Sequence, residues 1–430
     1  MLSKTERRAK RGAVIRALSG NILEVYDYGT YGYFAVFLSS AFFPTRSAFL
    51  SLMLTLLTFG VAAFARPFGA IILGSYMDRK GRRAGLLLTL MLMSIGSLAL
   101  AATPTYAAIG LAAPLLVVAG RLIQGFAFGV ESGGVNVYLA EISTPGHRGF
   151  YIAWQNASQG LAVILAAGVG MALAATMSNQ QMMSWGWRVP FVLGCVVIPV
   201  LFWLRRSLDE TEVFLKSRHP QRTREVLRVL IGHWQVLSFA IGLWLLETTG
   251  FYLTTIYTPT FGSQVLHLAP LGNLFITSCA GLSLFVVTLF GGALSDRFGN
   301  WPLVFIPSLL MLITAFPAYF WLAGSPSFVG LLLAELWLSS LVALYSGGVV
   351  PLIAEIMPDT VKTTGMAIVI SIGSGLIGSF TPAIATLLIQ LTRNRAAPAL
   401  WLTLIAVVAL GAALAVKRFV PADSLQEAAI

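Results

Sequence analysis

Long apolar runs that recur along almost the whole chain constrain the fold more than any other feature of the sequence. They begin near residue 19 and continue to residue 417, and most are 20 residues or longer. A helix needs about 20 mostly apolar residues to cross a bilayer. In lipid only helices and closed barrels satisfy the backbone, and these runs are too long for barrel strands. The sequence therefore predicts an all-α polytopic membrane protein.

We expect twelve transmembrane helices, arranged as two six-helix halves. The predicted spans, numbered in chain order, are 19–43, 50–76, 84–103, 107–138, 150–177, 187–205, 232–258, 268–294, 302–322, 327–353, 361–390 and 397–417. The longest polar interval separates the sixth span from the seventh. It predicts an N-terminal bundle over 1–205, a cytoplasmic linker over 206–231 and a C-terminal bundle over 232–430.

Basic residues are distributed unevenly between the two sides of this topology. Of 28 Lys and Arg residues, 22 fall in segments that are cytoplasmic if both termini lie inside, and four fall outside. Lys and Arg collect on the cytoplasmic side of membrane proteins. The split predicts cytoplasmic termini in a plasma (inner) membrane, and it accounts for the formal net charge of +11 without nucleic acid.

Patterns that would indicate catalysis or metal binding are not found in the sequence. Cys195 and Cys279 lie in apolar runs, and the four histidines are scattered without ligand spacing. There is no phosphate-binding loop and no pair of nucleophile and base. We therefore expect no catalytic residue, no metal, no cofactor and no enzyme activity, and the sequence implies no required protein partner.

Two similar loops recur six spans apart. The segments "GSYMDRKGRRAG" (74–85) and "GGALSDRFGNWP" (291–302) both fit G-x-x-x-D-R-x-G. Internal repeats of this kind are typical of transporters that hold a substrate between two halves. We expect these loops to form a conformational gate, in which Gly74 allows a close helix approach; the alternative is that their charges only fix the topology. The candidate gate residues are Gly74, Asp78, Arg79, Gly81, Arg82, Asp296 and Arg297.

These loops and several other motifs give the chain a family resemblance. The doubled loop and the 6+6 layout resemble the major facilitator superfamily. More narrowly, the chain is similar to the metabolite:proton symporter family, and most similar to its citrate–proton and tricarballylate symporters. The stretches that carry the similarity are "GNILEVYDYGTYGYFA", "FARPFGAIILG", "GRLIQGFAFGVESGG", "YLAEISTPGHRGFYIAWQNASQG" and "WGWRVPF". The resemblance implies proton-coupled import of a small organic acid, such as a tri- or dicarboxylate, by alternating access.

Three residues depart from the citrate pattern that this resemblance implies. Glu247 and Glu335 stand where neutral or apolar residues are usual, and Thr30 replaces a bulky apolar residue. Extra carboxylates repel a polyanion unless they are protonated. A zwitterionic or cationic substrate such as a betaine, which the wider family includes, therefore stays open as an alternative. A transport-inactive membrane sensor is another.

Polar residues in the first two spans indicate a site inside the membrane. Glu24, Asp27 and Tyr31 share one helix face, and a polar stripe of this kind is expected to face a water-filled cavity. Two adjacent carboxylates disfavour double ionisation, so one can carry a proton. We expect Glu24 and Asp27 to act in proton coupling and Tyr31 in substrate binding; pairing of a carboxylate with an arginine is the alternative. Arg66, before Pro67, is either an anion ligand or that partner.

The segment "AGRLIQGFAFGVESGG" (119–134) in span 4 contains two charges, Arg121 and Glu131. They lie about 15 Å apart along a helix, too far to pair with each other. An arginine cannot lose its charge, and its planar fork matches a carboxylate. We predict that Arg121 binds the substrate carboxylate and that Glu131 belongs to a proton path; an ion pair between Arg121 and Asp27 is the alternative. Three glycines repeat every four residues and predict tight helix packing: Gly125, Gly129 and Gly133.

Spans 5 and 7 contribute further candidates. Gln155 and Gln159 share a face of span 5, with Asn156 beside them. Neutral donors suit carboxylate oxygens, although hydrogen bonds between helices are an equal alternative. We expect these three residues to help bind the substrate, and we expect Glu247 of span 7 to take part in proton coupling, with H+ as the coupling ion.

Overall fold

The structure is a computed structural model that describes residues 4–80, 82–144, 146–206, 232–358 and 362–418. All regular elements among these residues are helical. The first half contains α1 (Lys4–Tyr33), α2 (Ala35–Phe42), α3 (Ala48–Val61), α4 (Arg66–Lys80), α5 (Arg82–Ala102), α6 (Tyr106–Ile109), α7 (Ala112–Ile142), α8 (Arg148–Thr176), α9 (Asn179–Ser184) and α10 (Val189–Arg206). The second half contains α11 (Trp234–Phe251), α12 (Thr258–Gln264), α13 (Pro270–Phe298), α14 (Asn300–Gly324), α15 (Phe328–Ile356), α16 (Lys362–Ile372), α17 (Thr381–Thr392) and α18 (Pro398–Val416).

Eleven helical segments of the described residues are long and apolar enough to cross a membrane, one fewer than the sequence predicted. The difference lies in the first predicted span, which α1 and α2 form and which is the most polar of the twelve. Its stripe of Asn21, Glu24 and Asp27 is buried inside the protein, because α1 packs against α8 and α10. A helix that is covered by other helices does not need an apolar surface on every side.

Three predicted spans are interrupted inside the bundle. A 3-10 turn (Ala62–Ala65) separates α3 from α4, a π-helical turn (Tyr252–Ile256) follows α11, and a π turn and a 3-10 turn (Gly373–Phe380) separate α16 from α17. A proline occupies the second position of the helix after each break. Proline lacks a backbone N–H and its ring disturbs the preceding turn, so each proline favours a break at that point. The proline positions are 67, 259 and 382.

Glycines in span 4 allow the close packing that the sequence predicted. A Cβ atom on Gly125 would overlap the backbone oxygen of Ala62, and one on Gly129 would overlap that of Arg66. Helix α7 therefore lies directly against the break between α3 and α4, which fixes the position of Arg66. Gly133 lies outside the side chains that the structure describes.

The two sequence halves meet along two seams. Helix α8 packs along α13, where a Cβ atom on Gly281 would lie 2.9 Å from the backbone oxygen of Gly160. The opposite seam joins α3, α4 and α7 to α16 and α17. The predicted linker, 206–231, lies outside the described residues apart from its first residue, so the division into two bundles stays a prediction.

Candidate functional site

A cavity with an empty volume of about 570 Å³ lies between the two sequence halves. Three of the predicted substrate residues, Arg66, Gln155 and Gln159, line this cavity from the N-terminal half. Glu247, predicted for proton coupling, lines it from the C-terminal half. The structure thus brings one cation, two neutral amides and one carboxylate to the same space.

Arg66 presents unpartnered donors to this cavity. It is the first residue of α4, and it is 1% exposed. Its guanidinium lies over the rings of Phe128, at 3.8 Å, and Tyr28, at 5.1 Å, and it also interacts electrostatically with Glu24. Nη2 donates a long hydrogen bond of 3.4 Å to the hydroxyl of Tyr252, whereas Nε and Nη1 have no hydrogen-bond acceptor among the described residues. A buried guanidinium with free N–H groups is suited to bind an anion.

Arg121 lies in a separate, smaller cavity of about 240 Å³ beside the first. Its guanidinium donates to Gln124 Oε1 at 2.8 Å and is packed on the rings of Tyr28 and Tyr31, at 4.6 and 4.5 Å. Tyr31 is fully buried, and its hydroxyl donates to the backbone oxygen of Thr55. Arg121 and Tyr31 therefore lie together, and Tyr28 lines both this cavity and the one that Arg66 lines.

Asp27 connects to Arg121 through an intervening amide. Gln124 donates from Nε2 to Asp27 Oδ2 and, at 3.1 Å, to the hydroxyl of Ser97, while Ser97 donates to the same Asp27 oxygen at 2.8 Å. Glu24 lines this smaller cavity together with Asp27. Asp27 Oδ1 has no hydrogen-bond partner among the described residues. Asp27, Gln124 and Arg121 thus form a buried chain of carboxylate, amide and guanidinium. A proton on Asp27 would change the hydrogen bonds of this chain.

Span 5 contributes its amides as the sequence suggested, but they also make contacts of their own. Gln155 donates to Asn21 Oδ1 at 3.3 Å, and Asn21 donates back to the Gln155 backbone oxygen at 3.1 Å. Gln159 donates to Asn156 Oδ1 at 3.3 Å, and Asn156 itself is buried. The Gln155 Oε1 atom has no partner among the described residues. The amides of span 5 therefore form hydrogen bonds with neighbouring side chains and also line the cavity.

Glu247 lines the 570 Å³ cavity from the C-terminal half. It accepts a hydrogen bond from the hydroxyl of Ser346, and its second oxygen has no partner among the described residues. Trp244, one turn earlier, donates from its indole N–H to Ser374 at 2.7 Å and also lines the cavity. The carboxylate of Glu247, the ring of Trp244 and the guanidinium of Arg66 thus line the same cavity.

Sequence reasoning missed several residues of these two cavities. Asn21 lies one turn before Glu24 on the same stripe, and Gln124 lies one turn after Arg121, so helical spacing alone could have identified both. Trp244 gave no comparable signal, because aromatic residues are common near the ends of spans. Tyr252 belongs to the polar run of span 7 and lies in the π turn at the end of α11.

The second copy of the repeated loop joins the two halves at one end of the bundle. Asp296 in the last turn of α13 accepts hydrogen bonds from the backbone N–H groups of Gly149, at 2.6 Å, and Phe150, at 2.9 Å. These groups belong to the N-terminus of α8, where a carboxylate is electrostatically favoured. Arg297 is exposed and lies over the ring of Phe298.

The first copy of the loop is described only in part. Gly81 lies outside the described residues, as do the side chains of four other candidates, Asp78, Arg79, Arg82 and Glu131. A Cβ atom on Gly74 would meet no described atom within 4 Å. Because several side chains near Gly74 lie outside the described ones, its close helix approach stays a prediction.

The halves also touch at the opposite end, which the positive-inside rule predicts to be the outer end. A Cβ atom on Gly32 of α1 would overlap the side chain of Ile256 in the π turn. One on Gly60 of α3 would lie 2.6 Å from the ring of Phe380. The two halves are therefore in contact at both ends of the described part of the bundle.

Comparison with known proteins identifies the family. The model of the family described as "Sugar (and other) transporter" matches residues 12–236. The citrate-proton symporters of Salmonella typhi and Klebsiella pneumoniae are each 44% identical to the chain; the first alignment covers 95% of this chain and 94% of the relative, and the second 93% and 90%. The proline/betaine transporter of Escherichia coli strain K12 is 29% identical over 93% of this chain and 82% of its own.

Solved structures show the same fold at lower sequence identity. The crystal structure of a D-xylose-proton symporter superposes with a TM-score of 0.75 at 20% identity, covering 95% of this chain and 98% of that one. The family consists of transporters, which confirms the expectation that the chain is not an enzyme. The protein belongs to the sugar (and other) transporter family, and its fold is that of solved structures of the major facilitator superfamily.

Proposed function

We propose that the protein imports a small organic acid with two or three carboxylates, such as citrate or tricarballylate, together with protons and by alternating access. The observation that carries the proposal is Arg66, a buried guanidinium with two unpartnered nitrogens that lines a cavity between the two halves. A permanently charged group of this kind requires an anion, and the substrate supplies one. The two citrate-proton symporters that are 44% identical support the same substrate class.

The contacts of the two arginines support different tasks for them. Arg66 is proposed to bind one substrate carboxylate through both arms of its guanidinium. Gln155 and Gln159 are then close enough along the cavity wall to bind a second carboxylate or a hydroxyl group. Arg121, the strongest sequence candidate, already donates to Gln124 and lies beside Asp27. It is therefore proposed to couple the proton site to the substrate site, with Tyr28 between the two guanidinium groups.

Asp27 is the proposed proton carrier for this coupling. In its charged form it accepts hydrogen bonds from Gln124 and Ser97. Protonation removes the negative charge that balances Arg121 and turns one carboxylate oxygen into a donor. The free energy of the protein then depends on both the proton and the substrate anion, and such a dependence is the requirement for coupled transport.

The test is uptake by purified protein in liposomes under an imposed pH gradient. Citrate, tricarballylate, a dicarboxylate such as succinate, and betaine are offered separately as labelled substrates. We expect accumulation of at least one di- or tricarboxylate that a protonophore abolishes and that needs no ATP. Accumulation that survives the protonophore would refute proton coupling, and uptake of none of the acids would refute the substrate class.

A zwitterion such as a betaine is the second candidate, and one observation favours it. Glu247 and the rings of Trp244 and Tyr252 line the same cavity from the C-terminal half, and the Tyr252 hydroxyl accepts a hydrogen bond from Arg66. A carboxylate beside aromatic faces binds quaternary ammonium groups, while an arginine in the same cavity binds the carboxylate of the same molecule. The relative in Escherichia coli that is named a proline/betaine transporter is consistent with this alternative. The betaine arm of the liposome assay separates the two candidates.

The proposed setting is the inner membrane, with both termini in the cytoplasm. The 22-to-4 distribution of Lys and Arg supports this orientation. It makes the Asp296 contact a cytoplasmic one and the Ile256 contact an outer one. Protease protection of an epitope placed after residue 430 in sealed inside-out vesicles tests it: cleavage of the epitope is expected, and complete protection would reverse the topology.

A further inference from the structure

Glu335 is a buried acid that the proposed transport site does not use. It lies in the second turn of α15, about 10 Å from the helix start at the predicted outer end. Its side chain is 1% exposed, and it is not among the residues that line either cavity. The sequence had already marked it as unusual, because an apolar residue is expected at this position of the family pattern.

The surroundings of Glu335 satisfy only one of its oxygens. The hydroxyl of Thr258, at the start of α12, donates to Oε1 at 3.1 Å, while Oε2 has no hydrogen-bond partner among the described residues. No lysine, arginine or histidine in the described part of the chain forms an ion pair with it. A buried carboxylate in this state loses several kcal/mol of hydration without compensation, whereas the neutral acid does not. The geometry therefore requires a proton on Glu335 in this conformation.

The groups that face Glu335 from neighbouring helices offer no alternative counter-charge. Tyr319 of α14 interacts with it and with Tyr257 at the end of the π turn, and both are neutral phenols. Helix α13 carries its charged residues, Asp296 and Arg297, in its last turn at the other end of the bundle. The remaining charged residues of the helices that pack on α15 also lie away from this end: Glu247 of α11, Arg148 of α8 and Lys362 of α16.

The partner of Glu335 belongs to an element that must move during transport. Thr258 is separated from the π turn Tyr252–Ile256 by one residue, and Ile256 in that turn contacts Gly32 of the other half at the outer end. Opening the outer end separates these two residues. Because Thr258 is two positions from Ile256, the same movement is transmitted to the contact that covers Glu335. Single π turns inside helices frequently mark functional sites of this kind.

We propose that Glu335 is a second proton-exchange site, protonated while the outer end is closed and deprotonated when the broken part of span 7 moves away and water enters. The acid is covered by Thr258 in the closed conformation and released by the movement that parts Ile256 from Gly32. Protonation of Glu335 then favours the outer-closed conformation, and a higher pH favours the outer-open one. The proposal rests on the proposed proton-coupled transport only for its role in the cell. In that role, Glu335 binds a second proton when the outer end closes.

The experiment measures the conformation directly and needs no substrate. Spin labels at Arg46 and Arg395, which are exposed at the outer end of the two halves, report the distance between the halves in purified protein across pH values from about 5 to 9. Native Cys195 and Cys279 are replaced by serine first. For the otherwise unmodified protein we expect the outer-open population to grow as the pH rises. A distance distribution that does not change with pH would overturn the proposal.

Variants assign that pH dependence to Glu335. Glu335→Gln mimics the protonated acid, so we expect it to keep the outer end closed at high pH, with the open-to-closed ratio reduced by about tenfold or more. Thr258→Val preserves the shape of the side chain but removes the donor that favours the charged form, so its transition should shift to higher pH. Thr254→Val is the matched control, because that hydroxyl bonds only the backbone oxygen of Gly250.

Each outcome of this series bears on the proposal. If Glu335→Gln is folded and follows the wild-type pH profile, another group controls the outer end and the proposal is wrong. If Glu335→Gln does not fold, Thr258→Val decides, and a profile identical to that of Thr254→Val counts against the proposal. A failure of carboxylate uptake in liposomes leaves these measurements unchanged, so it would refute the proposed substrate without touching Glu335.

Discussion

Replacing Asp296 by asparagine is expected to weaken the closure of the predicted cytoplasmic end. Asp296 accepts two hydrogen bonds, of 2.6 and 2.9 Å, from the first N–H groups of α8 in the other half. A hydrogen bond to a charged group contributes roughly 1.5–3 kcal/mol. Asparagine keeps one acceptor oxygen and presents an NH2 group where the second oxygen was. One of the two bonds is therefore lost and the other loses its charge.

The free energy that the closed conformation loses depends on how deeply Asp296 is buried. Asp296 is half-buried, so water can replace part of what is lost, and the lower end of the range applies. We expect the closed conformation to lose about 1.4 kcal/mol, which moves the equilibrium by about tenfold toward opening at that end. Electron–electron distance measurements between labels at exposed Lys80 and Phe298 report this population directly.

The neighbouring residue provides the control for this measurement. Arg297→Gln also removes one charge from the same turn, but Arg297 lies over Phe298 and makes no contact with α8 in the described structure. It should leave the distance distribution as in the wild type. Equal distributions for Asp296→Asn and the wild type would refute the reasoning, because the helix-terminal contact would then contribute nothing to closure.

The remaining predictions concern the cavities and the packing beside them. Arg66→Lys should weaken substrate binding in detergent by at least about tenfold, or ~1.4 kcal/mol, because it keeps the charge and loses the fork; titration calorimetry measures it. Arg121→Gln should keep substrate affinity within a few-fold of the wild type. It should abolish proton-driven accumulation while exchange of substrate across the membrane continues. If the variant does not bind substrate, Arg121 is part of the substrate site. Glu247→Gln should retain carboxylate uptake and abolish any uptake of betaine, measured in liposomes. Gly125→Ala should cost about 1–3 kcal/mol by overpacking and lower the melting temperature, whereas Gly74→Ala should not.

The overall fold was predictable because its signal is spread over the whole chain. Each of eleven spans is apolar over 18 residues or more, so an error at one boundary does not change the count. The first span differs for a physical reason: the same polar stripe that indicates a buried site, from Asn21 to Asp27, also removes the hydropathy by which a span is recognised. Spans 2, 4, 5 and 7 also carry candidate site residues, but each keeps an apolar window long enough to be recognised.

The breaks within spans were harder to predict than the spans. Proline marks them, at 67, 259 and 382, yet α14 contains Pro307 and Pro317 and continues without interruption. The difference lies in tertiary packing, which supplies or withholds partners for the freed backbone groups. A single sequence contains no direct record of that packing, so the π turn that places Tyr252 in the cavity could not be predicted.

The roles of the two arginines show where sequence reasoning ends and geometry begins. Burial, charge and the match to a carboxylate are the same for Arg66 and Arg121, and both were predicted to lie in the substrate site. What differs is the neighbour in space: Gln124 accepts a hydrogen bond from one guanidinium, while two nitrogens of the other have no acceptor in the described structure. Tyr28 lies within 5.1 Å of both and links the two cavities. A substrate anion on Arg66 and a proton on Asp27 can therefore influence each other through one aromatic ring and one amide, without any direct contact between substrate and proton carrier.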